Sequence, residues 1–164
     1  MLFYILHLKS VNIFILSRDP KIAAQMQCDK HVVKMILETA QLLCSPYPPG
    51  SAPYKRSHYN HPSSIWTRAS KENYKWLINH GLHLCEEYSY RYGKEHKSLA
   101  VIKWCRDHMK DLKLPSKGLT PFVQVMKDEY RSKNPVSAYR NYYLKEKREI
   151  ARWTRRSPPR WWTF

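Results

Sequence analysis

At 164 residues the chain has room for one hydrophobic core and not for two, which excludes a second independently folded unit and leaves a single domain over 1–164. Its 29 Lys and Arg against 13 Asp and Glu give a net charge of +16 and a pI near 9.8, an excess that points to a polyanionic partner, most simply nucleic acid. The charge runs through the whole sequence and is densest at the C-terminus, which excludes a detachable basic arm, and many of the 6 Trp and 12 Tyr stand beside Lys or Arg. Such interleaving suits contact with bases as well as phosphates, although these rings fill cores more often than they stack on bases.

In chain order, the opening MLFYILHLKSVNIFIL is apolar but broken by His7, Lys9, Ser10 and Asn12. It is too short and too interrupted to span a membrane, and it lacks the basic start and small-residue cleavage site of a signal peptide. Residues 1–11 read as an appended extension, and 12–16 as a strand or an extended segment against the core. One expectation is that translation starts at position 11 on a non-standard codon, making Met-Asn-Ile-Phe the biological N-terminus.

After Asp19-Pro20 comes CDKHVVKMILETAQLL, residues 28–43, with no Pro or Gly and hence a predicted helix. Val33, Leu37 and Ala40 mark an apolar line at helical spacing, widened by Ile36 and Leu43. Asp29, His31, Lys34 and Glu38 are polar groups within it. His31 and Glu38 are two turns apart and look the same way, while Lys34, four residues before Glu38, lies on its flank. A carboxylate, an imidazole and an amine on one patch are the components of acid–base or imine chemistry; the plainer alternative is a solvated face with an ordinary Lys–Glu pair.

Residues 45–62 hold Pro46, Pro48, Pro49, Pro53, Pro62 and Gly50 and form a loop, within which His58 and His61 frame HYNHP. Ser63 or Ser64 caps a second predicted helix to about 92, with Trp66, Asn73, Leu77, His80 and Leu84 on one face and Gly93 as its stop. Ser98 caps a short helix to about 110, residues 111–134 are an irregular connection, and a last helix covers roughly 135–154. The expected fold is mainly α, about four helices joined by long Pro-containing loops. Cys28, Cys44, Cys85 and Cys105 form no CxxC pair, which reads as a reduced, intracellular protein in the cytoplasm, or the host's cytoplasm if the chain is viral. The CxxH fragment of Cys28 and His31 has no second ligand pair at zinc-finger spacing, and no Gly-rich phosphate loop is present, so neither a metal nor a cofactor is expected. In the tail, 155–164, Arg155, Arg156 and Arg160 alternate with Trp161 and Trp162, a segment that either packs across the helices or touches nucleic acid.

The helix DKHVVKMILETAQLL resembles the signature helix of the pyrimidine-dimer DNA glycosylases, the endonuclease V family of phages and some bacteria. Its Asp, His, Glu and small residue fall on Asp29, His31, Glu38 and Ala40, and the Lys of the bacterial branch on Lys34. A second block is similar too: Asn60-His61-Pro62, Trp66, then Cys85-Glu86-Glu87-Tyr88 with Arg91. The two blocks cover about 29–93 in the same order. The resemblance implies a compact helical enzyme that binds damaged double-stranded DNA as a monomer, flips a base and cuts the glycosidic bond. An N-terminal amine would attack the sugar C1′ to form an imine, with Glu38 supporting ring opening and β-elimination; His31, Lys34 and Arg56 would hold phosphates near the lesion. Asp29, His58, Asn60, His61, Arg68, Arg155, Arg156, Arg160, Trp161 and Trp162 complete the expected DNA-binding set. The chain departs from the family at its N-terminus, where Met1 is followed by a bulky Leu, so the amine is that of a Met, or Lys34, or is missing. Two other classes fit the charge: a metal-dependent nuclease using His31, His58 and His61, and a non-catalytic DNA-binding protein on the same scaffold.

Overall fold

The computed structural model describes residues 11–163. Among these are six α-helices, α1 (Pro20–Met26), α2 (Asp29–Cys44), α3 (Pro62–Ala69), α4 (Lys71–Tyr92), α5 (Leu99–His108) and α6 (Pro135–Glu146), two 3-10 turns (Met109–Asp111, Asp128–Tyr130) and no strand. The mainly α class holds; the helix count exceeds the expected four for local reasons. Asp19 accepts hydrogen bonds from the Lys21 and Ile22 amides, so Asp19-Pro20 starts a short helix of its own. Ser70 is fully extended (φ −152°, ψ 157°) and its side chain caps Asn73, splitting the long expected helix into α3 and α4. Helix α6 stops at Glu146 instead of near 154, and Trp153 beyond it swings back to donate its indole N–H to the Met26 carbonyl (2.9 Å).

Helix α4 is the axis of the fold, with α1, α2, α3 and α5 all packed on it. The approach is closest at Gly81, where a Cβ would stand 2.9 Å from Thr39 Cγ2 and 3.0 Å from Ile102 Cδ1. Residues 11–16 are buried as extended chain along α2 and α6, without becoming a strand. The apolar line on α2 needs a correction. Ile36, Ala40 and Leu43 are buried together with Val32, Met35 and Leu42, but Val33 and Leu37 are 41% and 42% exposed. The helix is covered on two sides, by α4 and by residues 11–16, so His31, Glu38 and Thr39 share its interior and Val33, Lys34 and Leu37 are left facing outward. All four cysteines are buried free thiols. No helix among the described residues is long and apolar enough to cross a membrane.

Candidate active site and nucleic-acid face

Glu38 is only 8% exposed, and its Oε2 accepts a hydrogen bond from the backbone N–H of Asn12 (3.2 Å). Its other oxygen lies 3.6 Å from the Lys34 ammonium, which stands in solvent. Burial pushes the Glu38 carboxyl above its ordinary value, opposed in part by the Asn12 bond, by Lys34 and by His58. The carboxyl is thus largely withdrawn from water and has a nitrogen held in front of it.

Asn12 holds that nitrogen in place through its side chain. Nδ2 donates to the Val125 carbonyl (2.9 Å), and Oδ1 accepts from the Tyr139 hydroxyl (2.7 Å) and from its neighbour's amide on Ile13 (2.8 Å). Tyr139 in turn accepts from the Val125 amide (3.1 Å). Four groups from α2, α6, the first extended segment and the 111–134 connection therefore meet at one point. Sequence reasoning missed Asn12 and Tyr139; the only signal was one polar residue inside the apolar run VNIFIL.

His31 points into the core. It stacks on Phe14 (centroids 4.2 Å apart, planes within 12°), and its Nδ1 hydrogen-bonds the Tyr143 hydroxyl. Burial, helped by Lys147 and Lys34, pulls its pKa down to about 3, so the ring is neutral at pH 7 and offers no charge to a phosphate. What His31 does in this geometry is hold Phe14, and with it the segment carrying Asn12, against α2.

Asp29 and Arg156 also turn inward. The Asp29 carboxylate accepts from the Thr154 amide and hydroxyl and from Arg91, whose side chain is fully buried. Arg91 pairs with Glu87 (2.8 Å), and Glu87 takes two further bonds from Arg156. These four charges compensate one another and dock the tail. Trp162 is buried against Trp153, and Trp161 is half-buried with its indole N–H on Met26 Sδ (3.4 Å). The two tryptophans expected to touch DNA are packed on the body. Arg155 (φ +58°) and Arg160 remain on the surface, Arg155 over the Tyr90 ring.

The loop before α3 supplies a different surface. The guanidinium groups of Arg56 and Arg68 lie 4.4 and 3.9 Å from the centre of the half-exposed Tyr59 ring, a basic–aromatic platform. Arg56 also donates to the Ser45 and Tyr47 carbonyls, which fixes the loop on the end of α2. His58, at φ +52°, is a strained non-glycine position, and Asn60 beside it is exposed. His61 accepts from the Ser63 amide and so serves as the N-cap of α3. Among the described residues no three His, Cys, Asp or Glu side chains are gathered as metal ligands would be, and His31 is committed to Tyr143, so the trio His31, His58 and His61 does not fit a metal. Compared with protein-family models, curated proteins and solved structures, the chain matches none.

Proposed function

We propose that the chain is a DNA glycosylase with associated lyase activity of the pyrimidine-dimer type, acting as a monomer on damaged double-stranded DNA through an imine. The observation that carries this reading is the contact between the Glu38 carboxylate and the Asn12 nitrogen. As a peptide N–H that nitrogen has no available lone pair. In a chain that begins at position 12 it is a primary amine, and in one that begins at position 11 the amine is one residue away. An α-amine with a pKa near 7.7–8.0 is a usable nucleophile near neutral pH.

The amine lone pair bonds to C1′, the glycosidic bond breaks, and the base leaves with the electron pair and the proton lost by the amine. The nitrogen lone pair then forms the C=N bond as the C1′–O4′ bond breaks, and O4′ takes a proton from the Glu38 carboxyl, which is left as the carboxylate. The imine carbon then acidifies the 2′ proton, which the carboxylate removes, and the C3′–O bond breaks with the phosphate as leaving group. A carboxyl raised above its ordinary value by burial is the stronger base for that proton. The exposed face of α2 beside Glu38, with Lys30, Val33, Lys34 and Leu37, and the Arg56–Tyr59–Arg68 platform supply mixed basic and apolar contacts suited to a duplex.

Borohydride trapping tests the reading. Chains starting at positions 1, 11 and 12 are incubated with UV-irradiated and abasic-site duplexes. A borohydride-dependent adduct is expected for the shorter chains, mapping to the terminal amine, and Glu38→Gln should still trap while losing strand cleavage. No adduct from any form on either DNA sinks the lyase reading and leaves a binding protein.

A further inference from the structure

Away from Glu38, a cavity of about 510 Å³ opens between the end of the first extended segment and the start of α6. It is lined by Ser17, Arg18, Lys133, Arg140 and the first residues of α6, and no acidic side chain borders it. Arg18 lies over the Phe122 ring (5.4 Å), and its carbonyl is fixed by the Trp76 indole N–H (2.8 Å). Arg140 lies over Trp161 (5.5 Å) and gives its Nε–H to the Leu16 carbonyl (2.9 Å). None of the three cations joins an ion pair among the described residues, whereas Arg91 and Arg156 of the tail cluster each have a carboxylate; Arg140 is half-buried, and Arg18 and Lys133 stand exposed at the cavity's rim. Partial burial lowers the Arg140 pKa, and no carboxylate among the described residues offsets it. The α6 N-terminus adds little, because the Asn134 side chain already takes the Val136 and Ser137 amides.

We propose that this cavity binds a phosphate group, with Arg18, Lys133 and Arg140 as its ligands. Two guanidiniums braced on aromatic faces and one flexible ammonium present several donors to a tetrahedral oxyanion, and a volume in the range of small-molecule sites admits the attached sugar as well. Assigning that phosphate to a DNA backbone rests on the reading above. Ser17 is five residues from Asn12, at most about 18 Å of extended chain, so the phosphate would belong to a nucleotide a few steps from the one at Glu38.

The test uses the full chain, an Arg18→Gln/Lys133→Gln double variant, and a charge-matched Lys110→Gln/Lys113→Gln control outside the cavity. Duplex affinity is measured against salt, and thymidine 5′-monophosphate and inorganic phosphate are titrated by NMR. A salt slope that falls by about one to two units in the double variant, beyond any change in the control, with Lys133→Arg close to the parent, identifies a backbone phosphate. Saturable monophosphate binding that weakens tenfold or more in the double variant, with duplex binding unchanged, identifies a free phosphate ligand in the same site. If neither readout moves beyond the control, the proposal is overturned. A parent that binds no duplex at all sinks the DNA reading, while the monophosphate titration still decides the cavity.

Discussion

At Glu38 two forces oppose each other: burial favours the neutral acid, while the Asn12 amide and the Lys34 ammonium favour the carboxylate, and burial is the larger. A carboxyl with a raised folded-state pKa contributes stability below its unfolded value and loses it as pH rises through the folded one. The stability of Glu38→Gln relative to the parent should therefore improve between pH 4 and pH 7, read from paired urea titrations; a difference that does not change with pH would mean the carboxyl is not raised. His31 and His80 carry the opposite sign, with pKa values lowered to about 3 and about 4 by burial. Their stabilisation is present above the unfolded value near 6.5 and is lost as pH falls from there, each contributing a slope approaching about 1.4 kcal/mol per pH unit. Denaturant midpoints between pH 6.5 and 4 should show that decline, and His31→Asn should flatten part of it. The facing of α2 has its own test. Ile36→Ala should cost about 2–5 kcal/mol, whereas Leu37→Ala, at an exposed position, should stay within about 0.5.

Between elements, the contact that decides the arrangement is Gly81 against Thr39 and Ile102. Alanine there would gain about 1 kcal/mol of helix propensity in α4 but would press its methyl onto a β-branched side chain with little freedom. A net loss of about 1–2 kcal/mol in thermal or urea unfolding is expected for Gly81→Ala, and a stabilised variant would show that α2 and α5 can retreat. Much of this level was legible in the sequence. Gly93 as a helix stop, the buried face of Leu77, His80 and Leu84, and the loop between α2 and α3 all follow from local chemistry. Ser70 was not legible as a break, because a serine inside a helical pattern becomes a cap only when its backbone is extended by what surrounds it. The outward turn of Val33 and Leu37 was hidden for a related reason: periodicity reports an apolar stripe but not which of two flanks a neighbouring segment covers.

For the whole molecule, the C-terminal tail is part of the body. Glu87 is buried between Arg91 and Arg156, and Arg91 reaches on to Asp29. Removing one member of such a group leaves the others charged and buried, so Glu87→Gln should cost about 3–5 kcal/mol and loosen the tail, seen as a lower melting temperature and faster proteolysis after residue 151. A tail that stays protected would mean the tryptophans hold it unaided. Of the candidate site, Glu38 and its flanking Lys34 were readable from spacing, because both lie on one helix. Asn12, Tyr139 and the carbonyl of Val125 were not, since their meeting depends on segments more than a hundred residues apart. Partners 62 to 125 residues away likewise explain why Asp29, His31 and Arg156 looked like free polar groups in the sequence.

That separation has a consequence for how the protein is made. Asn12 and Glu38 leave the ribosome early, but the hydroxyl that fixes Asn12 is on Tyr139, and the amide that answers Asp29 is on Thr154. A nascent chain halted before α6 would have the Glu38 carboxyl and the Asn12 amide without the clamp that aligns them. The cluster is therefore completed last, and only chains that reach Thr154 assemble it, so that stalled or truncated products are left with polar groups unanswered and loosely held segments, ready targets for proteolytic clearance.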